Sequence, residues 1–130
     1  MVGRMEELLE AERAGVKCLI PLAADAPAGE KKDLLVRLRN DEGRFCAGLV
    51  KLIAARGAVP HQRVGPFADK VLALPGEPER LALLAKGQAW VVRKIDEIPA
   101  SEMTAEEKAF FADMREAHVI NIEAVRKYLP

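Results

Sequence analysis

At 130 residues the chain is long enough to bury a sizeable core as one domain spanning 1–130. Lys plus Arg and Asp plus Glu number 20 each, so no basic surplus points to a nucleic-acid partner. No apolar run approaches the ~20 residues of a membrane span, and Met1-Val2-Gly3-Arg4-Met5 lacks the apolar stretch of a signal peptide. A cytoplasmic protein is expected. Cys18 and Cys46 are too few for a disulfide framework and suit a reducing compartment. Hydrophobic residues make up 50% of the chain but aromatics only 5%, a mixture rich in Ala and Leu that favours helices over sheet.

Four helix-length segments follow in order. The first is expected over residues 4–22, stopping near Pro21, with the seam Met5, Leu9, Glu12, Val16, Leu19. The second runs from about Glu30 to Arg56 with the seam Leu35, Leu38, Glu42, Phe45, Leu49, Leu52, and Gly57 is placed to cap it. A long link, roughly Ala58 to Glu77, holds Pro60, Pro66 and Pro75 around an apolar stretch, and a short helix is expected over 66–74. The third long helix begins at Gly76-Glu77-Pro78 and ends before Pro99, with the seam Leu81, Leu84, Gln88, Val91, Ile95, Ile98. Thr104-Ala105-Glu106-Glu107 reads as a capping box opening the fourth, which continues to about Tyr128 through Phe111, Met114, His118, Asn121 and Val125.

Each seam carries a polar residue near its middle. Steps of three and four residues turn Glu12, Glu42, Gln88 and His118 inward. A charge buried there costs on the order of 2–5 kcal/mol unless it is paired or ligated. Counting from the connecting loops at 1.5 Å per residue puts all four at similar heights, in one layer. The same arithmetic separates Cys18 from Cys46 by about 15 Å, too far for a disulfide. Short loops make hairpins of helices one–two and three–four. The long link lets helix three run parallel to helix two, the single-crossover arrangement, although an up-down bundle with one ornamented loop satisfies the same pattern.

The stretches Leu8-Leu9-Glu10-Ala11-Glu12-Arg13-Ala14-Gly15, Asn40-Asp41-Glu42-Gly43-Arg44-Phe45-Cys46, Gly87-Gln88-Ala89-Trp90 and Arg115-Glu116-Ala117-His118 resemble the ferritin-like superfamily, in particular its small bacterial members. The resemblance implies an all-α, ferritin-like four-helix bundle with a long crossover between helices two and three. It also implies a two-ion site built from one Glu on each of two helices and Glu-x-x-His on the other two. Position by position, Glu12, Glu42 and His118 match ligands of that pattern. Phe45, Gln88 and Arg115 stand where a histidine and two glutamates are expected, so the dinuclear site is expected to be lost.

Two readings of the layer follow. In the first, Glu12, Glu42 and His118 form a metal-free network with Gln88, Asn121, Arg13 or Arg115, neutralised by the Arg115 guanidinium. The chain is then a helical interaction or assembly module, expected as a homo-oligomer with a dimer favoured and no cofactor. In the second, the two carboxylates and His118 hold one iron, manganese or zinc ion in a metal-binding protein or metal-dependent oxidoreductase. A small organic ligand in the polar mid-bundle space is a further possibility. Whether the chain is an enzyme is left open. Trp90 is expected to pack against the link through Phe67, Val71 and Leu74, or against another subunit, His61 to be an exposed loop residue, and Cys46 to be a blunted thiol beside Glu42.

Overall fold

The computed structural model describes all residues, 1–130, and every regular element in it is helical. The long helices are α1 (Val2–Asp25), α2 (Glu30–Ala55), α4 (Glu77–Asp96) and α5 (Ala105–Arg126); α3 (Phe67–Ala73) is a short helix in the link. A single 3₁₀ turn, Ala100–Glu102, precedes α5. No helix is long and apolar enough to cross a membrane.

The apolar seams segregate into two clusters. One gathers Met5 and Leu9 from the start of α1, Leu49 and Ile53 from the end of α2, Val91 and Ile95 from the end of α4, and Phe111 and Met114 from the start of α5. The other gathers Cys18 and Leu19, Leu35 and Leu38, Leu81 and Leu84, and Val125 from the opposite ends. The starts of α2 and α4 therefore share one end of the molecule, so these helices run in the same direction. The Lys31–Glu77 ion pair joins those two starts. Cys18 lies inside the second cluster and Cys46 packs on the first; both are free thiols.

Helix boundaries follow local chemistry. The end of α2 is a glycine cap: Gly57, at φ +80°, donates to the Ala54 carbonyl, and Ala58 donates to that of Ile53. Pro78 sits in the first turn of α4, where its missing N–H is no loss. Helix α1 corrects the expected stop at Pro21. It runs on to Asp25, because buried Ala23 and the half-buried Leu22 hold the last turn against the second cluster. The link crosses α1 on the way to α3. Arg13 bonds the His61 carbonyl, and the Gly65 N–H donates to Glu10 Oε1 at 3.4 Å. His61 is accordingly half-buried rather than exposed, and its Nδ1 accepts from the Arg63 N–H.

The capping box of α5 is formed in full, with Thr104 Oγ1 accepting from Glu107 N–H and the Glu107 carboxylate accepting from Thr104 N–H. Its glutamate does more than the sequence suggests. Glu107 is buried and takes both Nε and an Nη of Arg56 at 2.7 Å, tying the end of α2 to the start of α5. That bidentate bond holds the carboxyl down at about 2. A carboxylate whose folded value lies below its ordinary one stabilises at higher pH, and the benefit fades as pH falls from about 4.5 towards 2. The thermal midpoint of the protein should fall across that window, and Glu107→Gln, with a lower midpoint at pH 7, should show a flatter fall.

Candidate metal centre

Between the two apolar clusters lies the polar layer. Glu12 of α1, Glu42 of α2, Gln88 of α4, and His118 and Asn121 of α5 are each at most 5% exposed. The heptad steps that place them follow from the seams, and the side chains converge because the helices meet at one height.

One oxygen of Glu12, one of Glu42 and one ring nitrogen of His118 all lie within 4.8 Å of one another. Opposite ligands of one ion with bonds of ~2.0–2.2 Å stand about 4.4 Å apart at most, so shifts under about 1 Å would close the set. His118 Nδ1 lies 2.7 Å from the Met114 carbonyl, which fixes its proton on that nitrogen and turns Nε2 into the layer. Gln88 Nε2 donates to Glu42 Oε1 at 2.6 Å and orients that carboxylate.

What remains is a set of acceptors without donors. Both oxygens of Glu12, Oε2 of Glu42, Oε1 of Gln88 and Nε2 of His118 are buried with no hydrogen-bond partner. Glu12 Oε1 does come within 2.7 Å of His118 Nε2, a contact that becomes an ion pair only when the ring carries both protons. Burial and the neighbouring Glu12 carboxylate push Glu42 well above the usual carboxylate range. Burial works against charge on His118, yet Glu12 and the Met114 carbonyl outweigh it and raise its pKa. The two shifts share one cause beside burial: Glu12 at close range favours a proton, or a cation in its place, within the layer.

Arg115 does not supply that cation. It projects to the surface and pairs with Asp96 through Nε at 2.6 Å and an Nη at 3.1 Å. The expected neutralisation by Arg115 is thereby overturned, since an exposed bidentate pair avoids the desolvation that a buried guanidinium would suffer. Arg13 is likewise engaged elsewhere, at the His61 carbonyl. Asn121 turns from the three to the rim, donating to Asp41 at 2.9 Å and accepting from Arg37 at 3.2 Å. Phe45, at the position of a second histidine, puts its ring 5.5 Å from that of His118. Burial and the carboxylates of the layer push both thiols, Cys18 and Cys46, up to about 12, so neither is a ready nucleophile.

Gly15 is the residue of this layer that seam reading passes over. A Cβ there would lie 2.6 Å from the Glu42 carboxyl carbon, so the carboxylate occupies the space the glycine leaves. A glycine inside a helix was the available signal, since it costs about 1 kcal/mol relative to Ala and calls for a reason.

A family model described as a domain of unknown function, DUF6306, matches residues 1–127, and the chain belongs to that family. No curated protein and no solved structure matches it.

Proposed function

We propose that the chain is a ferritin-like helical protein that holds one divalent transition-metal ion, iron, manganese or zinc, through Glu12, Glu42 and His118. The observation that carries this reading is the cluster of buried carboxylate, amide and imidazole acceptors without hydrogen-bond partners, with both nearby guanidiniums, Arg13 and Arg115, engaged elsewhere. Donor chemistry fits as well: two carboxylates and an imidazole are the ligand types of single-ion iron and manganese sites, and two carboxylates balance a divalent charge. With Phe45, Gln88 and Arg115 in place of further ligands, the residues suit one ion and not two. A redox-active ion would give the layer electron-transfer or oxygen chemistry, and zinc a Lewis acid. The protein's own contribution is to fix the ligands: Met114 sets the histidine tautomer, Gln88 aims Glu42, and the apolar clusters pack the layer from either side.

The metal-free interaction module remains the competing reading, supported by the Gln88–Glu42 bond and the Glu12–His118 contact. It loses the guanidinium that would have balanced its charge. Elemental analysis separates the two. Protein purified without chelator should carry close to one equivalent of transition metal per chain, falling below a tenth in a Glu12→Gln/His118→Ala variant. Protein that carries none, and takes up none when offered iron(II), manganese(II) or zinc(II), would return the layer to a structural role.

A further inference from the structure

A cavity of about 430 Å³ opens from the surface and ends at the polar layer. Its lining comes from all of α1 to α4, with α2 supplying only Glu42 at the inner end. Ala11 and Gly15 of α1 form one side, Phe67 of α3 lies across it, and Leu83, Gly87 and Trp90 of α4 form the other. Small residues make the space. A Cβ at Gly87 would lie 2.8 Å from the Phe67 ring, so this glycine lets the aromatic lie close over α4.

The two ends of the cavity differ in chemistry. At the inner end stand Glu42 and Gln88, both at least nine-tenths buried, each with an unpartnered oxygen. Gln88 Oε1 is not among the three ligand atoms of the metal cluster, so it is an acceptor that an ion there would leave unsatisfied. At the outer end are Lys86 and Arg93, exposed cations of α4 that take part in none of the molecule's ion pairs. Between the ends the wall is apolar and aromatic. The volume lies within the ~300–1,000 Å³ of small-molecule sites.

We propose that this cavity binds a small amphipathic organic acid. Its carboxylate would lie at Lys86 and Arg93, its apolar body between Phe67, Leu83 and Trp90, and a hydroxyl or amino donor at its far end would meet Gln88 Oε1. The inference uses no metal ion, so it stands or falls separately from the proposed metal site.

Trp90 is the only tryptophan, and its place in the wall makes its emission a direct reporter. The probes are 4-hydroxyphenylacetate, 4-methylphenylacetate without the donor, and 4-ethylphenol without the carboxylate. They are titrated by Trp90 fluorescence and by calorimetry, into metal-free and manganese-loaded protein. Wild-type protein should bind 4-hydroxyphenylacetate saturably and about tenfold more tightly than either analogue, since each lacks one of the two polar anchors. Lys86→Gln/Arg93→Gln alters only exposed side chains, and should weaken both acids about tenfold while leaving 4-ethylphenol unchanged. Ala11→Leu, which fills the cavity from α1, should weaken all three. No saturable binding of any probe up to about 10 mM, or equal affinity for 4-ethylphenol and the two acids, would overturn the proposal. So would an acid affinity indifferent to the Lys86 and Arg93 changes. Loss of manganese binding with the acid still bound would remove the metal reading alone.

Discussion

Adding excess manganese(II) to chelator-stripped protein should raise its thermal unfolding midpoint by about 10 °C. An ion at 100 to 1,000 times its dissociation constant adds about 3–4 kcal/mol, and a domain of this size gains about 3–4 °C per kcal/mol. Glu42→Gln should cancel that rise. It should also do something a lost salt bridge does not: the metal-free variant should melt no lower than metal-free wild type, and higher at pH 8–9. The sign follows from the raised pKa of Glu42. A group held above its ordinary value contributes stability at low pH and loses it as pH climbs through the folded value, and glutamine keeps the neutral form throughout. Scanning calorimetry of both proteins, with and without manganese, checks both halves. A Glu42→Gln variant that melts well below metal-free wild type at pH 8–9, in a protein indifferent to metal, would mean that the layer is a self-sufficient network.

Gly15→Ala should destabilise the protein, the reverse of what that change does on an open helix surface. On an open helix surface the same substitution gains about 0.5–1 kcal/mol, and Gly43→Ala, whose Cβ would meet nothing within 4 Å, should show that gain. At Gly15 the new methyl falls on the Glu42 carboxylate, which Gln88 and the surrounding helices hold in place. Overpacking of this kind costs about 1–3 kcal/mol. Displacing the ligand should also weaken metal binding about 10- to 100-fold. Combining Gly15→Ala with Glu42→Ala removes the clash, and the double variant should be no less stable than Glu42→Ala alone. Urea unfolding of these four variants beside the wild type, Gly43→Ala included, gives the comparison.

The residues that could be read in advance are those whose position follows from helical period alone. All of Leu35, Leu38, Glu42, Phe45, Leu49 and Leu52 are buried as their spacing requires, and the Glu12–Glu42–His118 meeting follows from counting turns to the loops. The direction of α4 came from link length, and the start of α5 from a four-residue capping motif. Period says which way a Cβ points, but not where a long side chain ends. Arg115 stands one turn before His118 and was expected beside it, yet its long, freely rotating stem carries the guanidinium out to Asp96 on α4. The Arg56–Glu107 tie was invisible for the same reason, since it joins a helix end to a helix start through a reach no pattern encodes. Gly15 and the cavity were hidden differently. Both are spaces, and a space is set by the neighbours that decline to fill it. The passage of α1 through Pro21 shows tertiary packing outweighing a local breaker.

The division of the interior into two apolar halves with a charged band between them has a consequence for how the helices find their alignment. Four greasy stripes of Leu and Ile slide past one another at little cost, because one turn up or down exchanges one aliphatic contact for another. A displacement of about 5.4 Å, one turn, would here drive Glu12 or Glu42 into a layer of Leu and Met, away from Gln88 and His118. The band acts as a vernier: each long helix carries its own mark, and only one setting brings all of them level.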